Sequence, residues 1–146
     1  MKTFEDRFMN IQISMIKLCL EISGDNIDKV YAYGSIEKKS RSFNAFFVVD
    51  SEVKTLNMFG IDLETRREFL RLGAKDLELI NDLCHESETP VPTELKLIYD
   101  HKQGKLDTLY KYEPVATGET GVDSSQVFMD WVNEIKLGLS VQEEDI

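Results

Sequence analysis

The segment Phe43-Asn44-Ala45-Phe46-Phe47-Val48-Val49 is apolar at every position but one. Branched and aromatic side chains favour extended backbone, and successive side chains of a strand point to opposite faces. A strand that is apolar on both sides needs cover on both sides. This segment is therefore expected at the centre of a sheet, with both faces at least partly covered. Residues 30–36 have the same β-branched and aromatic character, and residues 37–42 are a polar connection, so the two strands read as a hairpin. Asp50-Ser51 reads as a turn, and residues 53–58 as a short returning strand.

Around this hairpin the pattern changes period. Phe4, Phe8, Ile11, Met15, Leu18 and Ile22 recur at alternating steps of four and three and predict one amphipathic helix. Thr3 with Asp6 resembles a capping signature, and Gly24-Asp25-Asn26 ends the element. Asp62 is placed to cap a helical region reaching about residue 85. Gly73 is expected to divide it, leaving Leu77, Ile80, Leu83 and Cys84 as the buried side of the stronger half. Pro90 and Pro92 forbid further helix. A second hairpin follows, in which Leu95, Leu97 and Tyr99 alternate with Glu94 and Lys96. After a turn at His101-Lys102-Gln103-Gly104, Leu106, Thr108, Tyr110 and Tyr112 alternate with Asp107, Lys111 and Glu113. That alternation implies one packed and one wet face. A loop over residues 114–123 contains Gly118 and Gly121, and a last helix from about Ser124 turns Phe128, Trp131, Ile135 and Leu139 inward.

Strands in pairs, rather than singly between helices, predict an α+β class. The expected architecture is a single antiparallel sheet of four to five strands packed by N-terminal, central and C-terminal helices against its apolar face. The length suits one domain over residues 1–139, with residues 140–146 as a disordered acidic tail.

The formal charge is −10, which disfavours direct nucleic-acid or anionic-membrane binding and favours solubility and encounter with a basic protein partner. No run approaches the roughly 20 apolar residues of a membrane span, and no signal peptide is visible, so a cytoplasmic location is expected. Cys19 and Cys84 fall in apolar helical patterns and are expected as buried thiols.

Chemistry-bearing constellations are sparse. Cys84-His85-Glu86 with Glu88 is the densest cluster of metal-ligating types, but adjacent helical residues diverge by about 100° and converge poorly on one ion. His85 and His101 are the only histidines, and the phosphate-loop, dinucleotide and nucleophile-elbow motifs are all missing from the sequence. No cofactor or metal is expected, and no catalytic residue is assigned. Lys38, Lys39 and Arg41 near Tyr31 and Tyr33 form a basic, aromatic-flanked turn, for which a solvated hairpin connection is the plainer reading.

The charge run that stands out is acidic. From Asp76 through Glu78, Asp82, Glu86 and Glu88 to Glu94 there is no Lys or Arg. Glu78, Asp82 and Glu86 fall at i, i+4 and i+8, where like charges destabilise a helix by a few tenths of a kcal/mol per step. Glu78, Asp82, Glu86 and Glu88 are therefore the candidate partner-binding residues, against the plainer reading of a solvated helix face.

The layout resembles that of the YezG-like immunity proteins. The resemblance is carried by Lys29-Val30-Tyr31-Ala32-Tyr33 with Asn44-Ala45-Phe46-Phe47, and by residues 92–100 followed by Gly104-Lys105-Leu106 and Tyr110-Lys111-Tyr112. The helix bearing Phe128 and Trp131 also fits, and the likeness extends to about Leu139. The first hairpin departs from the family in having Lys38-Lys39-Ser40-Arg41 where an acidic-glycine turn is associated with it. The resemblance implies a cytoplasmic, non-catalytic bacterial antitoxin that binds and inhibits a toxin nuclease domain. The alternatives are an acidic regulatory or scaffold protein with another basic partner, and a hydrolase using an unrecognised carboxylate site. Genomic position beside a toxin gene would favour the first, whereas a pocket of converging acids with raised pKa would favour the last.

Overall fold

A computed structural model describes residues 2–116 and 123–144. In chain order the elements are α1 (Phe4–Ser23), β1 (Lys29–Ile36), β2 (Arg41–Val49), β3 (Glu52–Thr55), a 3-10 turn (Leu56–Met58), α2 (Leu63–Glu86), β4 (Glu94–Asp100), β5 (Lys105–Lys111) and α3 (Ser124–Glu144). The strands form one antiparallel sheet in the order β3-β2-β1-β4-β5. The fold is α+β, and β2, which holds the apolar run 43–49, is one of the inner strands.

Short-range chemistry sets the element ends. Thr3 and Asp6 make the reciprocal capping box of α1, each side chain accepting from the other's backbone N–H. Asp62 accepts from the Thr65 N–H at 2.7 Å to start α2, and Asp123 accepts from the Gln126 N–H at 2.8 Å to start α3. These bonds satisfy backbone donors that have no partner within the helix. Asp50 and Ser51 both take positive φ, 52° and 65°, and form the tight β2–β3 turn. In the second hairpin the Asp100 side chain accepts from the Lys102 and Gln103 N–H groups, and Gly104 sits at φ 66°.

The sheet is covered on both faces, as the doubly apolar strand over residues 43–49 requires. Val30, Ala32, Ile36, Phe43, Ala45, Phe47, Leu95 and Leu97 meet α1 and α2 on one side. On the other, Tyr31, Tyr33, Phe46 and Val48 meet Phe128, Trp131 and Val132 of α3. The expectation of helices on a single apolar face is corrected here: β1 and β2 alternate between two apolar sets, and only a helix on each side buries both. Tyr31 and Phe46 are cross-strand partners whose rings stack at 4.6 Å, and Trp131 closes on both edge-on. Such aromatic pairs add about 0.5–1.5 kcal/mol each beyond the area they bury.

Other expectations also change. Gly73 does not break α2, which runs unbroken over Leu63–Glu86. A Cβ at Gly73 would stand 2.0 Å from a Phe43 ring carbon, and one at Gly34 2.5 Å from Leu77 Cδ2. The two glycines are where α2 presses onto the first hairpin, so packing rather than chain breaking accounts for Gly73. The third strand stops at Thr55, where the chain enters the 3-10 turn. Glu94, expected on the wet face of its hairpin, is 2% exposed, whereas β5 alternates as expected. Helix α3 continues to Glu144 and so takes in part of the segment expected to be disordered. Gly118 and Gly121 lie outside the described residues.

Alanine is better than glycine in a helix interior by about 1 kcal/mol, but overpacking a filled core costs about 1–3 kcal/mol. Gly73→Ala is therefore expected to lower the urea midpoint of unfolding. A raised midpoint would mean that the Phe43 ring yields freely and that the close approach imposes nothing.

Candidate functional site

Helix α2 buries Leu77, Ile80, Leu83 and Cys84, as the sequence pattern requires, and Leu77, Ile80 and Cys84 join the core shared with the sheet and α1. The opposite side of its second half displays Glu78, Asp82 and Glu86, all exposed, with exposed Glu88 just beyond the helix end. All four predicted residues thus lie at the surface along one stretch. The outer members of the acidic run do not. Asp76 is half-buried and hydrogen-bonded by the Ser14 hydroxyl at 3.4 Å, and desolvation raises its pKa. Glu94 is inside the protein, with Lys111 Nζ 3.8 Å from Oε2 and no hydrogen-bond partner for Oε1 among the described residues. The Tyr33 hydroxyl is likewise buried and unpartnered, and its pKa is raised by burial and then by the Glu94 charge.

The missing positive charges arrive from other elements. Arg41 Nε of β2 lies 2.8 Å from Glu78 Oε2. Arg7 Nη2 of α1 lies 3.4 Å from Glu86 Oε2. Arg41 also donates to the Glu37 and Ser40 carbonyls and so ties off the first hairpin. Exposed ion pairs of this kind contribute about 0–1 kcal/mol, enough to offset the like-charge spacing on α2. Asp82 and Glu88 have no ion-pair partner among the described residues.

The basic turn does not have exposed tyrosines beside it. Lys38 and Lys39 are exposed, but Tyr31 and Tyr33 are buried under α3 and present no ring for base stacking. Cys84 is buried while His85, Glu86 and Glu88 are exposed. Among the described residues no group of three or more His, Cys, Asp or Glu could hold a metal ion. Cys19 and Cys84 are buried free thiols, and burial raises the pKa of both, which removes the thiolate that reactivity needs. No helix among the described residues is long and apolar enough to cross a membrane.

A second acidic feature escaped the sequence reading. Where the C-terminal end of α1 meets the N-terminal end of α2, a cleft of about 490 Å³ is lined by Leu18, Ile22, Phe69 and Leu72 and by the acids Glu21, Asp62, Glu64 and Glu68. Two of its carboxylates are drawn towards the charged form. The Thr65 N–H holds Asp62 below the usual carboxylate range, and Arg71, whose Nε is 3.0 Å away, does the same for Glu68. Each half is patterned in sequence at i, i+4 spacing, but the two halves are more than 40 positions apart and only the antiparallel seating of α1 on α2 joins them.

The chain matches no protein-family model, and no curated protein sequence matches it.

Glu88 sits at φ 54°, with the Glu88 N–H donating to the His85 carbonyl and the Thr89 N–H to the Cys84 carbonyl. This is the left-handed helix-closing position usually held by glycine. A left-handed conformation costs a side-chain-bearing residue roughly 1 kcal/mol, so Glu88→Gly is expected to raise the urea midpoint. A lowered midpoint would show that the carboxylate contributes to the fold.

A carboxyl whose folded pKa lies above its unfolded value destabilises the protein when ionised, and the penalty disappears once pH falls below both values. Asp76→Asn is accordingly expected to stabilise at pH 7, with the gain shrinking as pH falls towards the ordinary aspartate value of about 3.9. A gain that stays constant in urea titrations across this window would mean that Asp76 ionisation is not its source.

Proposed function

We propose that the chain is a non-catalytic immunity protein that binds a basic toxin, a nuclease domain by the family resemblance, and blocks its action. One observation carries this reading. From Asp76 to its end α2 has no Lys or Arg, it exposes Glu78, Asp82 and Glu86 with Glu88 just beyond, and among the described residues two arginines reach this face from other elements. An acidic face of this kind opposes a nuclease surface built to hold phosphates, attracts it at long range, and can occupy the positions that nucleic acid would take. The paired-strand layout with the Trp131-bearing helix supports the same reading. The carboxylates of the α1/α2 cleft whose pKa values move are lowered rather than raised, which gives the hydrolase alternative no support. An acidic scaffold for a different basic partner would share the surface, and only the partner distinguishes it.

The test is enzymatic. The product of a toxin gene adjacent to this one is assayed on DNA and RNA with and without the purified chain. Inhibition at near-equimolar ratio is expected, together with slower association for a chain carrying Asp82→Lys and Glu86→Lys. Full nuclease activity in the presence of excess chain would end the immunity reading. Unchanged association kinetics in that variant would remove the α2 stripe from the interface.

A further inference from the structure

The α1/α2 cleft has the features that the exposed stripe lacks. The stripe is an array of solvated charges, two of them already paired within the molecule. The cleft combines charge with an apolar floor, because Leu18, Ile22 and Leu72 are only partly covered over buried Phe69. Its rim carries Glu21, Asp62, Glu64 and Glu68, and no lysine or arginine lines it. Of these acids only Glu68 has an ion-pair partner among the described residues. No basic residue occupies the last turn of α1 either, so the carbonyl end of that helix adds to the negative potential beside Glu21.

Its size falls within the roughly 300–1,000 Å³ typical of ligand-binding clefts. Two helices side by side leave a furrow that a third helix fills with side chains at i, i+3, i+4 and i+7. Apolar contact supplies affinity in such a furrow, and the rim charges choose the partner. An acidic helix would be repelled by the four carboxylates, and a neutral one would leave them desolvated without counter-charges.

We propose that this cleft is the docking site for an amphipathic, basic helix of a partner protein, with its leucine-like side chains on Leu18, Ile22 and Leu72 and its lysines or arginines against Glu21 and Glu64. The inference rests on the reading of the chain as a binder of a basic protein, but it places the apolar anchor of the interface on a different part of α2. The α2 stripe then attracts the partner, and the cleft holds it.

The experiment uses the full chain and a fluorescein-labelled synthetic amphipathic helix made of leucine and lysine, with a second peptide carrying glutamate in place of lysine as control. Anisotropy titrations are run on the wild type, on Glu21→Lys with Glu64→Gln, and on Asp82→Lys with Glu86→Lys. Lysine at position 21 complements the α1 dipole, so the first variant keeps its fold. Affinity for the lysine peptide is expected to fall about tenfold in the cleft variant and no more than about twofold in the stripe variant. Amide NMR shifts should move at Leu18, Ile22 and Leu72. Equal losses in both variants would mean that the peptide senses net charge alone, and shifts confined to other residues would place the contact elsewhere; either overturns the proposal. Binding of the glutamate peptide, or self-association of the chain through the cleft in sedimentation, would overturn it in favour of an apolar partner or a second copy. Failure of the lysine peptide to bind at all would reject the cleft while leaving nuclease inhibition to stand or fall on its own assay.

Discussion

Everything in this molecule is arranged around a hairpin that cannot tolerate water on either side. From Val30 to Ile36 every residue of β1 is buried, and β2 is buried over most of its length. Tyr33, Phe46, Phe47 and Val30 lie among the largest fully buried side chains, on alternating faces. Fully burying an apolar side chain of this size is worth roughly 1.5–3 kcal/mol. Stripping the cover from one face would forfeit several such terms at once. The paired helices α1 and α2 serve one face and α3 serves the other. The glycines at 34 and 73 allow α2 to approach the hairpin closely enough to exclude solvent.

Charge follows from that arrangement. Helices whose inner sides are wholly occupied with the hairpin have only their outer sides for polar residues, and acids predominate there. The fold then distributes countercharges across element boundaries. Arg41 crosses from β2 to Glu78, Arg7 from α1 to Glu86, and Lys102 from the second hairpin to Asp28, whose carboxyl it holds below the ordinary range. Inside, polar groups are handled one at a time. Gln12 is fully buried on α1 and accepts a hydrogen bond from the Tyr110 hydroxyl at 2.6 Å, while its amide donates to the Phe8 carbonyl. Glu94 Oε1, the Tyr33 hydroxyl, Arg66 Nε and His101 Nδ1 are the exceptions, buried without such a partner among the described residues.

Periodicity made most of the fold legible. The stripe from Phe4 to Ile22, the alternation in β5 and the inward set Phe128, Trp131, Ile135 and Leu139 each follow from one local rule, and the structure places them accordingly. Turn chemistry was equally readable at Gly104 and at Asp50-Ser51. Three features were not. Gly73 read as a breaker because propensity is local, whereas its reason is a Phe43 ring brought against it by tertiary packing. Glu94 read as wet because one strand does not say what lies over its neighbours. The placement of α3 on the second face was implicit in the doubly apolar β2, but no pattern within α3 states which face it takes. The candidate surface divides the same way. The spacing of Glu78, Asp82 and Glu86 is a property of one helix and was visible, whereas their arginine partners arrive from β2 and α1 in the folded chain, and the acid-rimmed cleft exists only once α1 lies against α2.

The chain has a single tryptophan, and its position has an optical consequence. Trp131 is 4% exposed, set edge-on against the stacked Tyr31 and Phe46 rings, with the Lys96 ammonium 5.2 Å from its ring centre. It belongs wholly to the one-helix layer, and the two-helix layer contains no indole. Emission from this protein is thus a gauge of one layer alone. It would report α3 lifting away while α1 and α2 stayed seated, and would stay silent if the opposite layer loosened first.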